Sequence, residues 1–277
     1  MTMLPGFADH ALFLFVPADR PERFAKAVAS GADAVIIDLE DAVPAHAKAG
    51  ARDGLGLALG DTDRASPIFV RVNGAETAWH DGDVAVIAAL PIDGVILPKA
   101  EAAADIAALR KRLPEPMPII AIVESARGLS AVDEIAVAAD RLAFGSIDFA
   151  ADLGCAHNRE ALLFARSRIV LAARLAKAPT PIDGVTLAIG ETTLIEDDMR
   201  YGASLGFGGK LLIHPRQIEP ARKGLAPGAE DLAWALRIVA SVEDGAARAV
   251  DGAMVDLPVL TRARQVVRAH QRFSNGS

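Results

Sequence analysis

The sequence predicts a (β/α)8 TIM barrel with a C-terminal helical extension. Three observations carry that expectation: eight short apolar runs recur in the first 215 residues, most carry a polar or charged residue at or near their end, and Ala-rich stretches of helical period lie between them. Runs that stay apolar on successive positions are buried on both faces. They call for a parallel sheet wrapped in helices and joined by right-handed crossovers.

In order, the runs are ALFLFVP (11–17), AVIIDLED (34–41), PIFVRVN (67–73), GVILPK (94–99), PIIAIVES (118–125), RLAFGSID (141–148), PIDGVTL (181–187) and KLLIHP (210–215). Segments such as RPERFAKAVASGA, EAAADIAALRKRLP and NREALLFARSRIVLAARLAK place apolar residues three and four apart, the spacing of an amphipathic helix. The rival architecture, an open doubly wound sheet, normally carries a Gly-rich phosphate loop after its first strand. Here the first run leads into Pro17-Ala18-Asp19-Arg20 instead. Residues 1–222 are assigned to the barrel. Residues 223–277 form an arm, with a helical pattern near 229–247, a turn at Asp251-Gly252 and an amphipathic stretch from Pro258 to Arg272. Such an arm would cap the barrel mouth or reach a neighbouring subunit.

Of the 277 residues, 52% are hydrophobic and 23% charged, which excludes a chain too polar to collapse. The 36 acidic against 29 basic residues give a net charge of −7 with the basic ones scattered, so nucleic acid is not an expected partner. The opening residues lack a basic n-region, and their apolar stretch falls far short of the ~20 residues that cross a bilayer. A single cysteine, Cys155, cannot form an internal disulfide and reads as a small buried hydrophobe. Together these features suggest a cytoplasmic protein without a membrane partner.

In a barrel of this kind, polar residues at the C-terminal ends of the strands are read first as chemistry. The second run ends in Asp38, Glu40 and Asp41, the third in Arg71 and Asn73, the fourth in Lys99, the fifth in Glu124, the sixth in Asp148 and the eighth in His214. That many carboxylates at one mouth repel each other unless a cation or a proton neutralises them. Oxygen ligands without Cys or paired His suit Mg²⁺, with Mn²⁺ as the alternative ion. Zinc is disfavoured because the six histidines are dispersed and no HExxH or CxxC occurs. Glu124 and Asp148 are the first-choice ligands; the bland alternative makes one a helix cap or a partner of Arg127 or Arg141. Arg71, in an apolar strand, requires a matched anion and could grip a carboxylate or an enolate oxygen. Asp38 and Glu40 should share one orientation, with Asp41 beyond them in the loop. Lys99 is set aside as a Schiff-base nucleophile because neighbouring carboxylates keep it protonated. His214 is either a substrate contact or an ordinary core histidine.

The stretches from Leu14 to Arg52, VRVNG (70–74), ILPKAE (96–101), IVESARGL (122–129), FGSIDFAADLG (144–154), KLLIHPRQI (210–218) and GAMVDLP (252–258) resemble, in order, the HpcH/HpaI aldolase/citrate lyase superfamily. Within it the chain is similar to citrate lyase β-subunit-like proteins and to malyl-CoA and citramalyl-CoA lyases. The resemblance implies a homotrimeric TIM barrel that uses Mg²⁺ to cleave or form a C–C bond in acyl-CoA thioesters. It implies that Glu124 and Asp148 hold the metal and that Arg71 contacts the substrate. It also implies that Asp256 enters a neighbouring subunit's site as acid or base, and that Phe15, Arg20 and Lys26 lie near CoA. Thioester hydrolysis at the same site is the alternative outcome. A CoA-independent class II pyruvate aldolase and a non-catalytic binding protein are weaker readings.

Overall fold

Side chains alternate across a strand, so each run sends one set of residues inward and the other towards the helices. In the computed structural model, which describes residues 6–60, 62, 65–241, 249–250 and 253–274, eight parallel strands close into a barrel in sequence order. They are β1 (Leu12–Pro17), β2 (Ala34–Asp38), β3 (Ile68–Arg71), β4 (Gly94–Leu97), β5 (Ile119–Val123), β6 (Arg141–Phe144), β7 (Ile182–Asp183) and β8 (Gly209–Leu212). β1 pairs with both β2 and β8, which closes the ring. Phe13, Ile36, Phe69, Ile96, Ile120, Ala143, Ile182 and Leu211 fill the interior. Residues of the other parity, Leu12, Leu14, Val35, Ile37, Val70 and Leu212 among them, pack under the helices.

The helices of the barrel are α1 (Phe24–Val28), α2 (Lys48–Gly60), α3 (His80–Ile87), α4 (Ala103–Arg110), α5 (Ala126–Ser130), α6 (Val132–Ala138), α7 (Ser146–Leu153), α8 (Arg159–Leu175), α9 (Thr192–Leu205) and α10 (Ile218–Leu225). Ser125 caps α5 by accepting the Gly128 N–H at 3.0 Å, and Asn158 caps α8 by accepting the Ala161 N–H at 2.9 Å. No helix among the described residues is long and apolar enough to cross a membrane.

Every strand but β1 stops short of its apolar run, and three of these stops shape the mouth. β6 ends at Phe144 because α7 begins at Ser146, so Asp148 sits in the first turn of a helix and not on the strand. β7 keeps only two residues. Gly184 then packs where a Cβ would overlap Ser146, and its carbonyl accepts Lys210 Nζ at 2.8 Å, so the chain leaves the ladder. β8 ends at Leu212, ahead of a short turn of 3-10 helix, Pro215–Gln217.

The N-terminal end of the barrel is plugged by a 3-10 turn, Phe7–Asp9, whose Phe7 ring stacks on Phe69 at 6.1 Å. Arg141, fully buried at the start of β6, donates from Nε to the Thr180 carbonyl (2.7 Å) and from Nη1 to that of His10 (2.6 Å). Burial pushes its guanidinium down to about 9. It belongs to this floor and is no partner for the carboxylates at the mouth.

The arm consists of α11 (Ala229–Ser241), a two-stranded antiparallel hairpin of β9 (Ala249–Val250) and β10 (Ala253–Met254), and α12 (Leu257–Ser274). The expected turn at Asp251-Gly252 and the end of the helical pattern towards 247 lie outside the described residues. Ala235, Ile238, Val255, Leu260 and Ala263 give the arm a small core of its own. The expected boundary at 222/223 falls inside α10, which packs on α9 and β1. At the far end of α12, Arg272 pairs with Asp9 of the floor at 3.4 Å.

Candidate active site

Strand parity decides what faces the mouth. Asp38 lies two residues beyond Ile36, Arg71 two beyond Phe69 and Glu124 two beyond Ile122, and each of those apolar residues points into the barrel. At the C-terminal end the same parity therefore delivers polar groups. They line a cavity of about 350 Å³ together with Phe15, Asp41, Gly145, Asp148, Val185 and Ile213.

Asp38 is buried and grips Arg71 with both oxygens, at 2.7 Å from Nε and 2.7 Å from Nη2. Its carboxylate also accepts the N–H groups of Glu40 (2.9 Å) and Ala42 (3.1 Å), so the start of the following loop is folded round it. Arg71 Nη1 lies 3.0 Å from Glu40 Oε2, and the guanidinium sits 4.6 Å above the Phe15 ring. Burial works against the Arg71 charge, but Asp38 and Glu40 outweigh it and hold the group firmly protonated. Asp38 takes two of the five guanidinium N–H bonds, while the Glu40 contact is an ion pair whose Oε2 accepts no hydrogen bond, so N–H bonds remain on Nη1 and Nη2 for a ligand.

Glu40 does face Arg71 alongside Asp38, as the alternation in the sequence implies, and its other oxygen pairs with Lys99 Nζ. Lys48, buried beneath, donates to the carbonyls of Leu39 (2.9 Å) and Glu40 (2.6 Å) and to Asn73 Oδ1 (2.6 Å), which anchors the loop from below. Burial lowers the Lys99 ammonium, but its bond to Glu40 outweighs that and holds it above the usual lysine range, which removes it as a Schiff-base nucleophile.

Glu124 is buried at the end of β5, and its Oε1 accepts the Lys99 N–H at 2.6 Å. Its Oε2 lies over Gly145, where any Cβ would overlap it. Burial first, then the charges of Glu40 and Asp148, push the Glu124 carboxyl up to about 8. Arg127 pairs instead with Glu101 at 3.5 Å, so neither suggested arginine neutralises Glu124. Beyond Glu124 and Asp148 opens a second cavity of about 480 Å³, lined by Glu76, Glu101, Asp105 and Asp152, with Lys99 its one basic lining residue among those described.

Of the remaining expected residues, Asp41 alone lines the cavity. Asp41 is exposed, 3.9 Å from Lys99. Arg20 and Lys26 are exposed beyond β1, outside the cavity lining, with Arg20 4.0 Å from Asp19. His214 caps the 3-10 turn, its Nδ1 accepting the Arg216 N–H at 3.1 Å, while its neighbour Ile213 lines the cavity. Pro215 directly after it is the sequence signal for that cap. Asp256 is exposed and caps α12, its Oδ1 accepting the Val259 N–H at 3.1 Å; it lines neither cavity of its own chain. Cys155 is half-buried against the core.

Among the described residues, no three His, Cys, Asp or Glu side chains converge into a closed metal cage. Two carboxylates, Glu124 and Asp148, line the same cavity and are the pair that could hold a metal there. The pair fits a hard ion that keeps most of its positions for water and ligand oxygens.

Residues 11–215 match the model of the HpcH/HpaI aldolase/citrate lyase family. The chain belongs to this family. A citrate lyase subunit beta-like protein of Mycobacterium tuberculosis is 40% identical over 266 residues, covering 92% of this chain and 94% of that one. A (3S)-malyl-CoA thioesterase of Cereibacter sphaeroides is 35% identical over 265 residues, covering 92% of each. Among solved structures, CitE from Mycobacterium tuberculosis in complex with magnesium, acetoacetate and coenzyme A superposes with a TM-score of 0.85 at 38% identity, covering 96% of this chain and all of that one. The family model ends at residue 215, and the similarity to these relatives runs on into the arm.

Proposed function

We propose that this family member is a Mg²⁺-dependent carbon–carbon lyase acting on 3-hydroxyacyl-CoA thioesters of the malyl-, citramalyl- or citryl-CoA type. It gives acetyl-CoA and a 2-oxo acid, or runs the reverse condensation. The observation that carries the reading is the pairing, in one cavity, of two carboxylates open to an ion with an arginine that keeps N–H bonds free on Nη1 and Nη2. The magnesium and coenzyme A held by the M. tuberculosis CitE structure support it.

Bound by Glu124 and Asp148, Mg²⁺ would supply Lewis-acid polarisation of the substrate's carboxylate and hydroxyl oxygens. A base takes the substrate's hydroxyl proton as the Cα–Cβ bond breaks to leave the 2-oxo acid and the acetyl-CoA enolate, and Arg71, fixed by Asp38 and Glu40, balances the negative charge that grows on the thioester oxygen. Asp256, supplied by a neighbouring copy in a homo-oligomer, protonates the enolate carbon; in condensation it removes the methyl proton. The acidic lining of the second cavity repels phosphates, so the nucleotide of CoA leaves on the β1 side, where Phe15 lies and Arg20 and Lys26 are exposed.

The thioesterase name of the C. sphaeroides relative favours one further reading, hydrolysis of the same thioester at this site. A panel of malyl-, citramalyl-, β-methylmalyl- and citryl-CoA, with and without Mg²⁺, separates the two. Oxo acid with intact acetyl-CoA marks the lyase, and free thiol marks the thioesterase. No Mg²⁺-dependent change in any thioester would sink both.

A further inference from the structure

Lys99 takes no chemical step in the proposed reaction, yet it touches both halves of the site. Its backbone is left-handed, with φ 49°, a conformation that L residues other than Asn and Asp seldom adopt. That torsion turns its N–H onto Glu124 Oε1 at 2.6 Å, which leaves Oε2 over Gly145 on the side of β6 and α7. Its ammonium pairs with Glu40, whose second oxygen faces Arg71 Nη1 at 3.0 Å. One residue therefore links the ion-site carboxylate to the substrate arginine.

We propose that Lys99 is a positioning residue with two separable tasks. Its main-chain N–H occupies one oxygen of Glu124 and aims the other at the ion site, and its ammonium, through Glu40, holds Arg71 in place for the substrate. The second task rests on the lyase reading above; the first does not. The two tasks use different atoms, so substitutions divide them. Glycine keeps the left-handed backbone and the N–H and deletes the ammonium. Valine, β-branched, opposes the torsion itself. Arginine restores a cation at the same place.

The test measures Mn²⁺ binding to the metal-free protein alongside steady-state turnover of whichever thioester the panel selects. Lys99→Gly binds Mn²⁺ within about twofold of the parent protein while kcat/KM falls roughly tenfold or more, and Lys99→Arg recovers most of that loss. Lys99→Val weakens Mn²⁺ binding by at least about tenfold. Equal loss of Mn²⁺ affinity in the glycine and valine variants would overturn the first task. Unchanged kcat/KM in the glycine variant would overturn the second. If the parent protein turns over no thioester, the lyase reading fails by itself, and the glycine–valine comparison of Mn²⁺ affinity still decides the first task.

Discussion

Asp38 holds Arg71 by two parallel bonds, 2.7 Å from Nε and 2.7 Å from Nη2, across the β2–β3 pair in which the two residues are register partners. A fork of this kind fixes direction as well as charge. Asp38→Asn can accept only one of the two bonds and presents an amine to the guanidinium at the other. We expect kcat/KM to fall roughly 10- to 100-fold with Mn²⁺ affinity nearly unchanged, because the ion site does not include Asp38. Parallel kinetic and Mn²⁺ titrations check this; equal losses in both would place Asp38 in the ion site itself.

Gly145 is a second point where one atom decides. A Cβ there would meet Glu124 Oε2 and Cβ and force the carboxylate from its aim. Gly145→Ala should cost about 1–3 kcal/mol in stability from overpacking and weaken Mg²⁺ binding more than it disturbs the fold. Chemical denaturation and a Mg²⁺ titration on the same sample read the two effects. Unaltered Mg²⁺ affinity would show that the carboxylate is not held as described.

Glu124 sets a pH dependence whose sign is fixed. Its carboxyl is raised from 4.5 to about 8 in the folded, ion-free protein, so the folded state binds the extra proton between those values. That contribution to stability is complete below 4.5 and is lost as pH climbs towards 8. Glu124→Gln, which cannot ionise, should remove this part of the decline in melting temperature between about pH 5 and pH 8. The same proton must leave when an ion binds, so apparent Mg²⁺ affinity should rise by up to about tenfold per pH unit below 8 and then level off. Calorimetric titrations in buffers of different ionisation enthalpy count that proton. No proton release at pH 7 would contradict the raised carboxyl.

Asp256 has a local task and a proposed distant one, and one substitution separates them. Asparagine caps a helix about as well as aspartate but cannot carry a proton to carbon. Asp256→Asn should therefore keep the melting temperature and Mg²⁺ affinity and lose at least about 100-fold in kcat. Mixing it with a Glu124→Gln variant should restore some activity if the acid comes from a neighbouring copy. A drop in melting temperature with normal kcat would reduce Asp256 to a cap.

Much of this site is legible in the chain because a strand's period of two ties polarity to direction. Once Ile36, Phe69 and Ile122 are interior, Asp38, Arg71 and Glu124 must face the mouth. The pattern says less where the chain leaves the strand. Asp148 reads as a strand tip but sits on α7, and His214 reads as a strand end but caps a turn, since short apolar runs do not mark where a ladder stops. Lys99 is conspicuous as a polar tip, but its left-handed torsion carries no residue-type signal, so its hold on Glu124 is visible only in three dimensions. The arm's helices are periodic enough to find; the proposed reach of Asp256 into a neighbouring copy is not something one chain's pattern contains.

Anomalous diffraction at the manganese edge from crystals grown with Mn²⁺ locates the ion directly, without any assay. The strongest peak is expected beside Glu124 Oε2 and the Asp148 carboxylate, facing the free N–H bonds of Arg71, and is expected to disappear in Glu124→Gln crystals. A peak seated elsewhere, or none at saturating Mn²⁺ in the parent protein, would contradict this placement.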